Sequence, residues 1–178
     1  MPERPWLNKR LTEQGFEAGP RWVVLCPGTR WPSKQWPVEY FEQLMGELAG
    51  GSVRFAVVGS GAEKILGKRL AGRKDCVDLT GKTTLPEMTE WLRASSVVVT
   101  NDSGPMHVAA AVGTPVIALF GPTNASKTGP YHARGTVLAA DSKDCAVCAR
   151  GLSYRNKGCD CMRSIAPTTV AEAVAACE

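Results

Sequence analysis

A chain of 178 residues with 44% hydrophobic content is long enough for one α/β domain that buries a substantial core without disulfides or metals to hold it. A formal charge of +4 is too small to mark a polyanion-binding surface, so nucleic acid is not an expected partner. No apolar run is long enough to span a bilayer, and the opening stretch MPERPWLNKR lacks the apolar core of a secretory signal, so a cytoplasmic protein is expected.

Residues 6–16 predict a short helix closed by Gly19 and Pro20, and the apolar run over 22–26 predicts a buried strand. A loop rich in Pro, Trp and Lys follows. Pro37 suits a first helical turn, and Val38, Phe41, Leu44, Met45 and Leu48 then recur at helical spacing until Gly50 and Gly51 stop them. Residues 53–58 predict a strand running into Gly59-Ser60-Gly61, with a helix through Leu70 and a short strand over 76–79 behind it. The pattern repeats as helix over 85–94, strand over 96–100, helix over 105–112 and strand over 115–120. A last strand at 136–139 and an alanine-rich helix over 168–176, preceded by Pro167, close the series. Short apolar strands separated by helices predict a parallel sheet covered on both faces, a Rossmann-like arrangement. Ligands of such sheets sit beyond the carboxyl ends of the strands, so chemistry is expected in the loops after Cys26, Val58, Leu79, Thr100 and Phe120.

The most informative stretch is VVVTNDSGPMHVAAAVGTPVIALFGPTN, residues 97–124, which reads as strand, tight turn, helix and strand in close order. Ser103 or Gly104 can cap the helix and Pro105 fits its first turn, leaving backbone N–H groups at the strand end. Those amides and the helix dipole favour an anion, and His107 can add a donor, so a pyrophosphate fits. The competing reading makes Asn101 and Asp102 an Asx turn and His107 a structural histidine. Ala109, Ala110, Ala111 and Gly113 are explained by close helix-to-sheet packing.

The loop CPGTRWPSKQWP, residues 26–37, holds a hydroxyl, an arginine, a lysine and two tryptophans. Thr29, Ser33 and Lys34 fall on the expected ligand edge, where Lys or Arg would neutralise charge on a departing phosphate, while Trp31 and Trp36 read as stiffeners. Gly59-Ser60-Gly61 is followed by Glu63 but has Lys64 where a dinucleotide fingerprint needs glycine, which makes it a weak signal. Glu63 fits a ribose hydroxyl and fits equally an ordinary first-turn acid. The loop LTGKTT, residues 79–84, is consistent with nucleotide contacts or with a plain turn.

Seven cysteines are many for a reducing compartment. Cys26, Cys76 and Cys177 are isolated and expected to be buried as small apolar residues. Cys145, Cys148, Cys159 and Cys161 form C-x2-C-x10-C-x-C, whose first pair has metal-ligand spacing and whose second is an unusual knuckle. A structural zinc, a disulfide and free thiols all remain open there. Between Lys143 and Arg163 five basic residues face two acidic ones, which fits phosphates, an anionic membrane surface or a solvated loop.

Taken together, PGTRWPSKQWP, VVGSGAE, LTGKTTLPE, the long segment from Thr100 to Tyr131 and the CxxC…CM stretch resemble the C-terminal domain of the family 9 glycosyltransferases, the heptosyltransferases. The resemblance runs in order from about Trp22 to the end. It implies the C-terminal half of a GT-B fold, residues 1–178 forming a single nucleotide-sugar-binding domain, with the acceptor-binding N-terminal domain and its general-base aspartate absent. It implies ADP-L-glycero-D-manno-heptose as donor, inverting transfer to the lipid A and inner-core acceptor of lipopolysaccharide, and no cofactor required for catalysis. By this resemblance Thr29 and Lys34 contact the diphosphate or sugar, Glu63 the nucleoside, and Asp102, Ser103, Gly104 and His107 the sugar diphosphate. Lys34 is the residue expected to stabilise the leaving group. The chain alone is then expected to grip the donor and to transfer sugar poorly or not at all, at the cytoplasmic face of the inner membrane. The alternative is a stand-alone nucleotide-sugar-binding module or one half of a split glycosyltransferase.

Overall fold

Alternate residues of the first strand supply opposite sides of one sheet, and that alternation organises the whole molecule. The computed structural model describes residues 5–50, 52–131, 134–141 and 160–177. Strand β1 (Arg21–Cys26) sends Val23 and Leu25 into one apolar core and Trp22, Val24 and Cys26 into a second. The same period of two recurs in β2 (Val53–Val57), β4 (Val97–Asn101) and β5 (Val116–Phe120), each with side chains in both cores. This is why these runs read as continuously apolar rather than alternating. Each such Val, Leu or Ile contributes about 1.5–3 kcal/mol when fully buried, so two cores back to back outweigh any single surface interaction.

Strand β3 (Cys76–Asp78) and β6 (Gly135–Ala139) complete the sheet, whose order is β3-β2-β1-β4-β5-β6 with every neighbouring pair parallel. Helices α2 (Val38–Glu47), α3 (Lys64–Leu70) and α7 (Pro167–Ala175) cover the first core. Helices α1 (Pro5–Glu13), α4 (Leu85–Ala94) and α5 (Gly104–Ala111) bury residues in the second. The strand order reverses between β1 and β4, the switch point at which open α/β sheets bind ligands. The expected Rossmann-like α/β sheet is therefore what the chain adopts, with predicted boundaries displaced by at most three residues.

The elements not anticipated are short: single 3-10 turns at Pro32–Lys34, Gly61–Glu63 and Cys161–Ser164, and α6 (Ala125–Thr128). A turn of three or four residues is too brief to show a hydrophobic period, which is why these stretches read as loop. Pro37 stands one place outside α2, as its N-cap, with extended ψ. Gly135 opens β6 at φ +112, and a side chain there would strike the backbone of Val116. No helix among the described residues is long and apolar enough to cross a membrane.

Gly67 shows how tightly α3 meets the sheet edge. A Cβ there would collide with Asp78 Oδ1 and Thr80 Oγ1, two atoms that already hydrogen-bond each other at 2.6 Å. Helix propensity alone favours alanine over glycine by about 1 kcal/mol. Gly67→Ala is nonetheless expected to destabilise the fold by about 1–3 kcal/mol, because overpacking exceeds the propensity gain. Urea unfolding reads the sign directly, and a stability increase would show that this contact yields.

Candidate functional site

The loop between β1 and α2 is held in place from both ends by one amide. Asn101, fully buried at the end of β4, accepts from the Trp36 backbone N–H at 3.0 Å and donates to the Pro27 carbonyl at 2.8 Å. Trp36 is itself fully buried, its ring 4.8 Å from Phe41 and its indole N–H donating to the Ile165 carbonyl at 2.9 Å. The competing reading of Asn101 as an Asx turn fails, because its amide braces both ends of a loop, and Trp36 stiffens that loop as a buried core anchor. Between these anchors the turn Pro32–Lys34 directs Lys34 back over β4.

Lys34 Nζ lies 2.6 Å from Asp102 Oδ2, and the Thr123 hydroxyl donates to the same oxygen at 2.7 Å. Both charged side chains are largely shielded, at 15% and 7% exposure, so their attraction is weakly screened. The Asp102 backbone N–H continues the sheet to Leu119, which fixes the carboxylate above the β4–β5 edge. Helix α5 starts next. Its N-cap Ser103 is extended, at φ −154 and ψ 172, and makes no side-chain cap. The backbone N–H groups of Ser103 and Gly104 have no acceptor in the protein among the described residues. Two unsatisfied amides at the positive end of a helix dipole suit an anion.

On the other side of the β1 loop, Glu63 closes a capping box: its Oε2 accepts from the Ser60 N–H and hydroxyl, both at 2.6 Å. A side chain at Gly28 would collide with Glu63 Cγ and Cδ, so the glycine in this loop makes room for the acid. Glu63 thus serves as a first-turn acid, and it also lines a cavity.

Two cavities open at the carboxyl ends of the strands. The larger, about 460 Å3, runs from Cys26 and Val58 on its floor to Glu63 on one wall and to Thr83, Thr84, Leu85, Met88 and Val108 on the other. The smaller, about 360 Å3, includes Trp31, Lys34, Asp102, His107 and Thr128. Thr29, Arg30, Ser103 and Gly104 line both, so the start of α5 forms part of the wall they share. Burial pushes the Cys26 thiol up to about 12, so the floor stays an uncharged, unreactive thiol at neutral pH. Thr84 caps α4 through Glu87, which ties the far wall to a helix rather than to a free loop.

Of the expected site residues, Thr29, Lys34, Glu63, Asp102, Ser103, Gly104 and His107 converge on these cavities. Ser33 does not: it is 2% exposed and lines neither, because the 3-10 turn rotates it inward as it turns Lys34 outward. Sequence reasoning noted Arg30 only as a basic residue of its loop, and it missed Met88, Val108, Thr123 and Thr128 as parts of this region. Thr83 and Thr84 were within its reach, since their loop was open to a nucleotide reading. Met88 and Val108 carry no polar signal, and Thr123 acts only through Asp102.

Of the four-cysteine set, Cys145, Cys148 and Cys159 lie outside the described residues. Cys161 packs in the first core against Gly121, and no group of three or more His, Cys, Asp or Glu among the described residues is placed to hold a metal. The expected structural zinc thus falls mainly on residues outside those described, and Cys161 by itself gives it no support. Cys26 is buried as expected, whereas Cys76 and Cys177 are only half-buried, at the margin of the core.

A family model described as glycosyltransferase family 9 (heptosyltransferase) matches residues 5–157. The chain belongs to that family. It is 36% identical over 138 residues to a lipooligosaccharide heptosyltransferase 2 of Haemophilus influenzae, covering 73% of this chain and 40% of the relative. It is 32% identical over 123 residues to the lipopolysaccharide heptosyltransferase 2 of Escherichia coli K12, covering 65% of this chain and 35% of the relative. Among solved structures, that of the E. coli ADP-heptose lps heptosyltransferase II is similar with a TM-score of 0.81 at 24% identity, over 99% of this chain and 52% of that one. The E. coli heptosyltransferase WaaC with ADP is similar with a TM-score of 0.71 at 23% identity, over 97% and 48%. These likenesses place the fold with heptosyltransferase structures, and the chain spans about half the length or less of each relative.

Proposed function

We propose that this chain holds the ADP-heptose donor for inverting heptosyl transfer to the lipopolysaccharide inner core. The observation that carries the reading is the pair of adjoining cavities with an unsatisfied helix start between them. The larger has the size and the apolar walls that a nucleoside needs, with Glu63 positioned for a ribose hydroxyl. The smaller has hydroxyl and charged residues on its lining and suits a sugar, and the diphosphate then lies across the Ser103 and Gly104 amides. Family membership supports heptose as the sugar, and a related structure bears ADP in its name.

In this reading the acceptor hydroxyl, activated by a base on a further domain, attacks the anomeric carbon while ADP departs with the bonding electron pair. Lys34 and the α5 amides offset the charge that gathers on the departing diphosphate. With the base on that further domain, this chain is expected to bind donor without transferring it, at the cytoplasmic face of the membrane that carries the acceptor.

Thermal shift with ADP-, GDP- and UDP-sugars tests the assignment, since a ligand that binds only the folded state raises the melting temperature. The ADP-sugar is expected to give the largest rise, and calorimetric titration with ADP to give measurable heat. Preference for a UDP-sugar would overturn the donor assignment, and silence with ADP would overturn donor binding itself.

A further inference from the structure

The two cavities carry few charges, and two of them are matched to each other. Among the described residues, Arg30, Lys34 and His107 are the only basic side chains on the two linings, against Glu63 and Asp102 as acids. Lys34 and Asp102 stand 2.6 Å apart and together contribute no net charge. Glu63 adds one negative charge to the larger cavity. Arg30 is exposed, and no carboxylate of the described residues lies within ion-pair distance of it. Its guanidinium instead lies 5.2 Å from the centroid of the Trp31 ring, a contact that orients the group without neutralising it.

We propose that Arg30 is the principal side-chain ligand of the donor's diphosphate. This rests on the donor-binding reading above and goes beyond it, because it transfers the anchoring role from the lysine to the arginine. Three observations converge. Arg30 lines both cavities, so it sits at the junction that a diphosphate between a nucleoside and a sugar must cross. It brings a positive charge held in no ion pair among the described residues, where Lys34 and Asp102 cancel each other. Its planar fork can meet two phosphate oxygens at once, whereas Lys34 must first be shared with Asp102. Lys34 then acts on the charge that develops later, and Arg30 on the charge that the donor brings with it.

Calorimetric titration of the 178-residue chain with ADP and with adenosine separates this role from a structural one. Arg30→Ala is expected to weaken ADP about 10- to 100-fold, the loss of one charge-assisted interaction, and to leave adenosine within about twofold. Arg30→Lys keeps the charge without the fork and is expected to fall between. ADP affinity retained by Arg30→Ala, or equal losses for ADP and adenosine, would overturn the assignment while leaving donor binding intact. Unmodified protein that bound neither probe would overturn the donor-binding reading and the role of Arg30 with it.

Discussion

Trp36→Ala is expected to lower folding stability by about 3–5 kcal/mol, the range for emptying the site of a large buried aromatic. The ring is completely enclosed, stands edge-on to Phe41 at 4.8 Å and to Tyr40 at 5.7 Å, and its N–H satisfies the Ile165 carbonyl. Truncation therefore leaves both a void and an orphaned acceptor. For a domain of this size such a loss lowers the melting temperature by roughly 10 °C. Trp36→Phe refills most of the volume without the hydrogen bond and is expected to recover about half of the loss. Because the Trp36 backbone N–H is one of the two bonds through which Asn101 holds the β1–α2 loop, donor affinity should also fall when the ring is removed. A loss below about 1 kcal/mol in denaturant unfolding would contradict the anchor role of this side chain.

Lys34→Ala is expected to act twice, on stability and on binding. It leaves Asp102, 7% exposed, with the Thr123 hydroxyl as its remaining side-chain partner. Breaking a buried pair from one side costs about 3–5 kcal/mol, and the partial exposure of Lys34 puts the expected loss near the lower end, about 3 kcal/mol. The double variant Lys34→Ala with Asp102→Ala removes the stranded charge as well and should be less destabilised than the two single losses added, by about 1 kcal/mol or more. Strict additivity would show that the pair contributes nothing by its pairing. On the binding side, Lys34→Ala is expected to weaken ADP less than Arg30→Ala does, through the Asp102 charge it leaves unmatched beside the cavities. A larger ADP loss than that of Arg30→Ala would return the anchoring role to the lysine.

The Lys34–Asp102 contact illustrates what can and cannot be read along a chain. Both residues are legible as ligand candidates, because each follows an apolar strand at the edge where parallel sheets bind. Their mutual contact is not legible, since they are 68 positions apart and meet only when β1 and β4 become neighbours. Ser33 and Lys34 carry the same polar signal in the same loop. A single 3-10 turn sends one inward and the other toward the cavity, and nothing in a three-residue stretch announces that rotation. Met88 and Val108 look like helix-face core residues, and they line a wall only because α4 and α5 leave a gap there.

The layer architecture follows from the order of residues alone, because strands buried on both faces must be apolar throughout and the helices between them must show a period near 3.6. So does the family, since the residues around NDSGPMH and the lysine loop occur in order along the chain. Which of those polar groups satisfy one another is a matter of packing in three dimensions. The folded chain pairs Lys34 with Asp102 and commits the Asn101 amide to bracing a loop. It leaves Arg30 and the Ser103 and Gly104 amides without carboxylate or carbonyl partners among the described residues. Charge compensation depends on distances of a few ångströms between residues remote in the chain, and those distances exist only once the strands are side by side.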